Sequence, residues 1–151
     1  MIRESHFYAG EDASGFALRR GGRIVCLQWF WHGERAKRSA FWALGARDAV
    51  SMHLVTVPDE RARGHATLLK RLTAPRLRDE GFDALYSRIW WTNVPSLRVS
   101  EKAGWQCVGT TLDIALPGRS APLAWRFARR GTVASADPSR GAPPHVRGAR
   151  P

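Results

Sequence analysis

No run of this sequence approaches the roughly 20 apolar residues that a membrane span needs. The opening Met1-Ile-Arg-Glu-Ser-His6 also lacks the apolar core of a signal peptide. Cysteine is scarce: among 151 residues there are two, Cys26 and Cys107, far apart and each inside an apolar run. That excludes a disulfide framework and reads as two buried thiols in a reducing compartment, so a soluble cytoplasmic protein is expected. Lysine is nearly absent, standing only at positions 37, 70 and 102 although the formal net charge is +11. The arginines that carry this charge are scattered rather than gathered on one helix face, which argues against a nucleic-acid binder; a GC-rich genome gives the same arginine bias with no functional meaning, and an acidic ligand is the alternative reading. No internal repeat and no metal-ligand set is apparent.

What is present is a hydrophobic share of 44% with seven tryptophans, enough for one folded domain with a real core. Gly15-Phe-Ala-Leu-Arg and Ile24-Val-Cys-Leu-Gln-Trp-Phe-Trp31 flank Gly21-Gly22 and predict a hairpin. A basic loop, His32 to Arg38, and a short apolar piece, 40–44, precede a third strand over 50–57, which Pro58-Asp59 stops. Leu68, Leu69, Leu72 and Leu77 recur at helical spacing from about Gly64 to Gly81, with Pro75 expected to kink or shorten the helix. A strand over 84–91, a helix near 96–103 closed by Gly104, and strands over 106–116 and 123–129 complete the pattern. From 131 to 151 the composition turns to Gly, Pro, Ser, Ala and Arg, which predicts a disordered and dispensable tail after a 1–130 domain. The order of elements is that of an α+β, or mixed α/β, domain. Core packing is expected for most of the tryptophans, among them Trp29, Trp31, Trp90 and Trp91.

The chemistry concentrates in Leu54-Val-Thr-Val-Pro-Asp-Glu-Arg-Ala-Arg-Gly-His-Ala-Thr67. A strand runs into a short loop of small and basic residues that opens directly into a helix. Free N–H groups at a helix N-terminus carry about half a positive charge and form an anion site. Gly64 would let the backbone approach a phosphate, Ala66 keeps the neighbouring position small, and Arg61 and Arg63 add charge-assisted contacts. One strand further on, Asn93-Val-Pro-Ser96 opens a second helix. The amide of Asn93 can bind an extended amide ligand, cap the helix, or do both.

Together these segments resemble the GCN5-related N-acetyltransferase (GNAT) superfamily. Arg61-x-x-Gly64-x-Ala66 matches its Arg/Gln-x-x-Gly-x-Gly/Ala signature. Asn93-x-x-Ser96 through Glu101-Lys-Ala-Gly-Trp105 matches its later segment in order and spacing. The resemblance runs from about Val50 to Trp105 and implies a central, mostly antiparallel twisted sheet flanked by helices. It implies acetyl-CoA as co-substrate, a primary amine of a small molecule or protein as acceptor, and no metal. The backbone of Leu54, Val55 and Thr56 would bind the pantetheine arm in a V between the third strand and the 84–91 strand. Ala62, Arg63, Gly64, His65, Ala66 and Thr67 would wrap the pyrophosphate beside Arg61, with Asn93 and Ser96 on the pantetheine side. A homodimer is compatible with this reading.

The sequence departs from the family in three places. The strand and two helices that usually open the domain and shape the acceptor pocket are missing or replaced, since the first hairpin begins near Gly15. Ser100 stands where many relatives keep a tyrosine that protonates the leaving thiolate, and a serine is a poorer acid. No carboxylate occupies the strand positions of the usual base. His53 is the candidate substitute, although regular alternation gives the cavity parity to Met52 and only a β-bulge would reverse it. Asp48, Glu34 and His32 are no better placed. These vacancies leave an alternative, a catalytically inactive CoA-binding regulatory or interaction module of the same fold.

Overall fold

A computed structural model describes residues 3–38, 43–115 and 123–128. The expected tail, 131–151, and Ala40, Phe41 and Trp42 of the short apolar piece lie outside them. The chain divides into two compact units, Met1–Trp105 and Gln106–Pro151.

The first unit is built on a four-stranded sheet in the order β1-β2-β3-β4. The hairpin of β1 (Ala13–Arg20) and β2 (Arg23–Trp31) forms as the Gly-Gly turn requires, with Gly21 and Gly22 both at positive φ. β2 pairs antiparallel with β3 (Asp48–Thr56), and β3 pairs parallel with β4 (Ala84–Ser87). The crossover between β3 and β4 is helix α2 (His65–Asp79). α2 continues through Pro75 to Asp79 rather than stopping there. β4 is shorter than the expected 84–91 strand, because pairing with β3 ends at Ser51 and Ser87.

Two short helices were not legible in the sequence: a 3-10 helix over Arg3–Tyr8, and α1 (Gly33–Arg38), where a basic loop was expected. α1 is too short to show an apolar period, and it is anchored from outside itself by Asp12, whose carboxylate accepts from the Glu34 N–H at 3.0 Å. α3 (Val94–Lys102) closes the unit.

The core lies between the sheet and α2. Phe30, Ala49 and Leu77 are fully buried, with Phe16, Phe82, Leu85 and Trp105 packed against them. Gln28 is buried in the same layer and satisfied: its amide donates to Ser51 Oγ at 3.1 Å, and the Thr73 hydroxyl of α2 reaches its carbonyl. Gln28 therefore fixes which face of β2 looks toward α2, and Trp29 must look the other way. On that other face Trp29 lies over Gly15, where an added Cβ would meet the indole at 2.6 Å. Only a glycine leaves room for the ring.

The second unit contains an antiparallel pair, β5 (Gly109–Ile114) and β6 (Leu123–Ala128). Its Cys107 is exposed, contrary to the expectation of two buried thiols; Cys26 is buried, and burial raises its pKa. Among the described residues no helix is long and apolar enough to cross a membrane. The tryptophans divide as well. Trp29, Trp31 and Trp105 are half-buried, but Trp90 and Trp91 are 66% and 82% exposed, because β4 has ended before them.

Candidate functional site

The parallel pairing of β3 with β4 covers only Asp48–Ser51 and Ala84–Ser87. From Met52 to Thr56, β3 has β2 on one side and no strand partner on the other among the described residues. The Val57 N–H donates to the Val25 carbonyl at 3.0 Å. By antiparallel alternation the peptide groups of Val55 face β2 as well, and those of Leu54 and Thr56 face the open side. Of the three strand residues expected to offer their backbone, Leu54 and Thr56 are thus the ones whose peptides point there. The Thr56 carbonyl already accepts from Arg61 Nε at 3.3 Å, which ties the strand end to the loop that follows.

That loop passes through a short 3-10 turn, Pro58–Glu60, and an extended Arg61. It then takes two left-handed positions, Ala62 at φ 60° and Gly64 at φ 82°. A non-glycine residue in this region costs on the order of 1 kcal/mol, so Ala62 marks a loop held in shape by its surroundings. Gly64 is the N-cap of α2 and supplies no side-chain cap. The first helical bond is Leu68 N–H to Gly64 carbonyl at 2.9 Å. The N–H groups of His65, Ala66 and Thr67 therefore have no acceptor within the helix and none from a capping side chain. Nothing lies within 4 Å of the position a Gly64 Cβ would take, so the space in front of the loop is open. An anion fits here, held by backbone N–H groups and the helix dipole.

The surrounding charges are ordered by two carboxylates. Glu60 Oε2 lies 3.0 Å from His65 Nε2, 3.3 Å from Arg20 Nη1 and 3.6 Å from Arg63 Nε. The His65 hydrogen bond is the main cause that holds the Glu60 carboxyl below its ordinary pKa. Asp59 is lowered in the same way by Arg23 of the β1–β2 hairpin. This network was not anticipated; the acidic pair Asp59-Glu60 beside Arg61 and Arg63 was its only visible sign.

Asn93 caps α3, its Oδ1 accepting from the Ser96 N–H at 3.3 Å. Its side chain is exposed, and Ser96 is half-buried. Ser100 is buried on the same helix, and its hydroxyl has no hydrogen-bond partner among the described residues. Nearby in the sequence, Trp105 carries Lys70 of α2 against its ring, with Nζ 3.5 Å from the centroid. Lys70 is only 2% exposed, and burial pulls its pKa down to about 8. One of the three lysines in the chain is thus in the interior, which no local pattern announced.

The bulge that His53 requires is present. Register between β2 and β3 jumps from Trp29 with His53 to Phe30 with Ser51, which leaves Met52 as the extra residue. His53 accordingly shares the face of Trp29, opposite α2. The rejected alternatives are engaged elsewhere: Asp48 accepts from the Gly45 N–H, Glu34 pairs with Lys37, and His32 lies beside Ser14 and Asp12. His53, Ser100 and the loop belong to three different elements. They are distributed around β3, α3 and the N-terminus of α2.

No family model and no curated protein matches this chain. Solved structures do. The ribosomal-protein-S18-alanine N-acetyltransferase of Escherichia coli superposes with a TM-score of 0.58 at 14% identity, over 87% of this chain and 80% of that one. The aminoglycoside N-acetyltransferase AAC(6')-Iy, solved with a bisubstrate analogue of CoA, gives 0.53 at 15% identity over 64% of each chain. An aminoglycoside acetyltransferase from an uncultured soil metagenomic sample gives 0.51 at 13% identity over 62% of this chain, which spans 58% of that structure's length. The chain has the fold of the GNAT superfamily.

Proposed function

We propose that this protein transfers an acyl group from acyl-CoA, acetyl-CoA in the simplest case, to a primary amine by direct attack. The observation that carries this reading is a run of polar backbone from the unpaired side of β3 to the start of α2. The peptides of Leu54 and Thr56 face the unpaired side of β3, and the strand leads within one loop to the uncapped N–H groups of His65, Ala66 and Thr67. An extended amide-containing arm ending in a pyrophosphate is complementary to that sequence of donors and acceptors. Arg61, Arg63, Asn93 and Ser96 are the side chains assigned to the donor in this reading.

The amine nitrogen attacks the thioester carbonyl, its C–N bond forms, and the C–S bond breaks. His53 accepts the proton lost by the amine. Ser100 is the hydroxyl assigned to the departing thiolate, to which it offers a hydrogen bond. Holding donor and amine in one geometry supplies most of the acceleration, so a modest base and a weak acid suffice. The neighbouring structures are named as aminoglycoside and ribosomal-protein N-acetyltransferases, which makes small-molecule and protein amines the classes to screen.

The test is calorimetry with acetyl-CoA, followed by thiol release across an amine panel. Binding with amine-dependent release supports transfer. Binding without release would favour an inactive CoA-binding module, a reading that the buried serine at position 100 keeps in view. Absence of binding refutes both.

A further inference from the structure

The segment ahead of β1 lies against the candidate base. Tyr8, the last residue of the 3-10 helix, stacks on His53 with ring centroids 4.5 Å apart and planes 11° from parallel. Tyr8 is in turn held on several sides. Its carbonyl accepts from Trp31 Nε1 at 2.9 Å, and its ring lies 5.8 Å from the Trp31 ring and edge-on to Phe7 at 5.3 Å. Arg35 of α1 covers the Trp31 face at 4.4 Å and donates to the carbonyls of Phe7 and Ala9, each at 2.8 Å. A guanidinium that fills its hydrogen bonds with backbone carbonyls while lying on an indole is a fastener rather than a free surface charge.

We infer that Tyr8 is a positioning residue: its ring sets the plane of the His53 imidazole, and the 3-10 helix that carries it forms the acceptor-side wall of the site. This inference rests on the reading of His53 as base. The bulge at Met52 turns His53 out of the core layer and onto the face of Trp29. Stacking holds the imidazole plane nearly parallel to the Tyr8 ring. Trp31 of β2 holds Tyr8 directly, and Arg35 of α1 holds the backbone on either side of it.

The first readout needs no activity. The imidazole C–H resonances of His53, assigned by their loss in His53→Gln, should be displaced upfield by the ring current of Tyr8. Tyr8→Phe should keep the displacement and Tyr8→Leu should abolish it. The second readout is thiol release from acetyl-CoA, with water or a panel amine as acceptor. Tyr8→Leu should lower kcat about two- to tenfold, the rate equivalent of one aromatic pair, with KM for acetyl-CoA unchanged and Tyr8→Phe close to the unaltered protein. Absence of the upfield displacement in the unaltered protein overturns the inference, and this holds even if Tyr8→Leu does not fold. Release that His53→Gln slows and Tyr8→Leu does not removes Tyr8 alone. Release untouched in His53→Gln removes the base and the role of Tyr8 with it. CoA binding with no release at all overturns the transfer reading as well.

Discussion

The loop from Arg61 to Thr67 and the aromatic face around His53 are built by opposite means. The loop is local: one strand end, two left-handed residues and the first turn of α2, all within a short stretch of chain. The aromatic face is assembled from Tyr8, Trp29, Trp31, Arg35 and His53, contributed by four elements. The loop offers backbone, so few of its side chains are indispensable. The aromatic face offers side chains, and each holds the next. A substitution at the loop's one essential backbone position should therefore be severe and confined to binding, whereas substitutions on the aromatic face should be graded and confined to the rate.

The sharpest way to break this contrast is Gly64→Val. The residue sits at φ 82°, where a β-branched side chain is strained, and its Cβ would project into the open space in front of the helix N-terminus. Backbone N–H bonds to a charged phosphate are each worth about 1.5–3 kcal/mol, so losing even two predicts at least about a hundredfold weaker acetyl-CoA binding. Calorimetry on a variant with native circular dichroism checks this. An unchanged dissociation constant would sink the loop as the pyrophosphate site.

Ser100→Ala should be next in size and should touch the rate alone. A hydrogen bond to a developing thiolate is worth about 1.5–3 kcal/mol, which predicts transfer slowed roughly ten- to a hundredfold with CoA affinity unchanged. Single-turnover rates decide it. Because the hydroxyl is buried without a partner, the same substitution should not destabilise the fold. Equal rates for serine and alanine would mean that Ser100 only packs α3.

The two regions also differ in how much of each could be read beforehand. Gly64, Ala66 and Asn93-x-x-Ser96 were legible because helix starts depend on residue types at fixed short spacing, and the structure caps α3 with Asn93 as that chemistry dictates. The β1–β2 hairpin followed from two β-rich runs around the Gly-Gly turn. β4 was read too long because Ile89, Trp90 and Trp91 have strand propensity, whereas its real end is set by divergence from β3, a tertiary property. The bulge at Met52 was only a conditional, since nothing in Ser51-Met-His53 specifies it; it arises from pairing with β2. Tyr8 and Arg35 gave no signal at all, as the hydrogen bonds that hold them span more than twenty residues.

Lys70 lies on the helix that the loop begins, and it tests whether loop and core are separable. Its pKa of about 8 when folded stands below the ordinary value near 10.5 because burial disfavours the charged form. The unfolded chain therefore binds more protons between these values, so stability should rise as pH increases from about 8 to 10.5 and be lowest at and below neutrality. The shift corresponds to roughly 3 kcal/mol, partly offset by the contact with the Trp105 ring, which is worth about 0.5–2. Lys70→Met should accordingly stabilise the protein by about 1–2 kcal/mol at pH 7, flatten that alkaline rise, and leave CoA affinity alone. Thermal melts from pH 7 to 10.5 check it; a less stable variant at pH 7 would mean that the ammonium is held favourably.

The smallest expected effect tests whether the loop's charges are poised for an anion or consumed by their own network. Glu60 engages Arg20, Arg63 and His65 at once, and its lowered pKa keeps it ionised at neutral pH. It thus does two opposed things. It holds the cations near the helix N-terminus, and it sets a negative charge close to where a pyrophosphate would lie. The loop geometry is already maintained by backbone: the left-handed pair Ala62 and Gly64, and the Arg61 contact to the Thr56 carbonyl. Orientation by Glu60 is then the weaker contribution, and relief of repulsion should win in Glu60→Gln. Its arginine partners are exposed and their interactions are screened, so acetyl-CoA should bind only about two- to fivefold more tightly at low salt, with the gain fading as ionic strength rises. A salt series of dissociation constants for the two proteins reads this directly. Weaker binding by Glu60→Gln at every salt concentration would show that the carboxylate orders the loop, and that this region, like the aromatic face, depends on side chains holding one another in place.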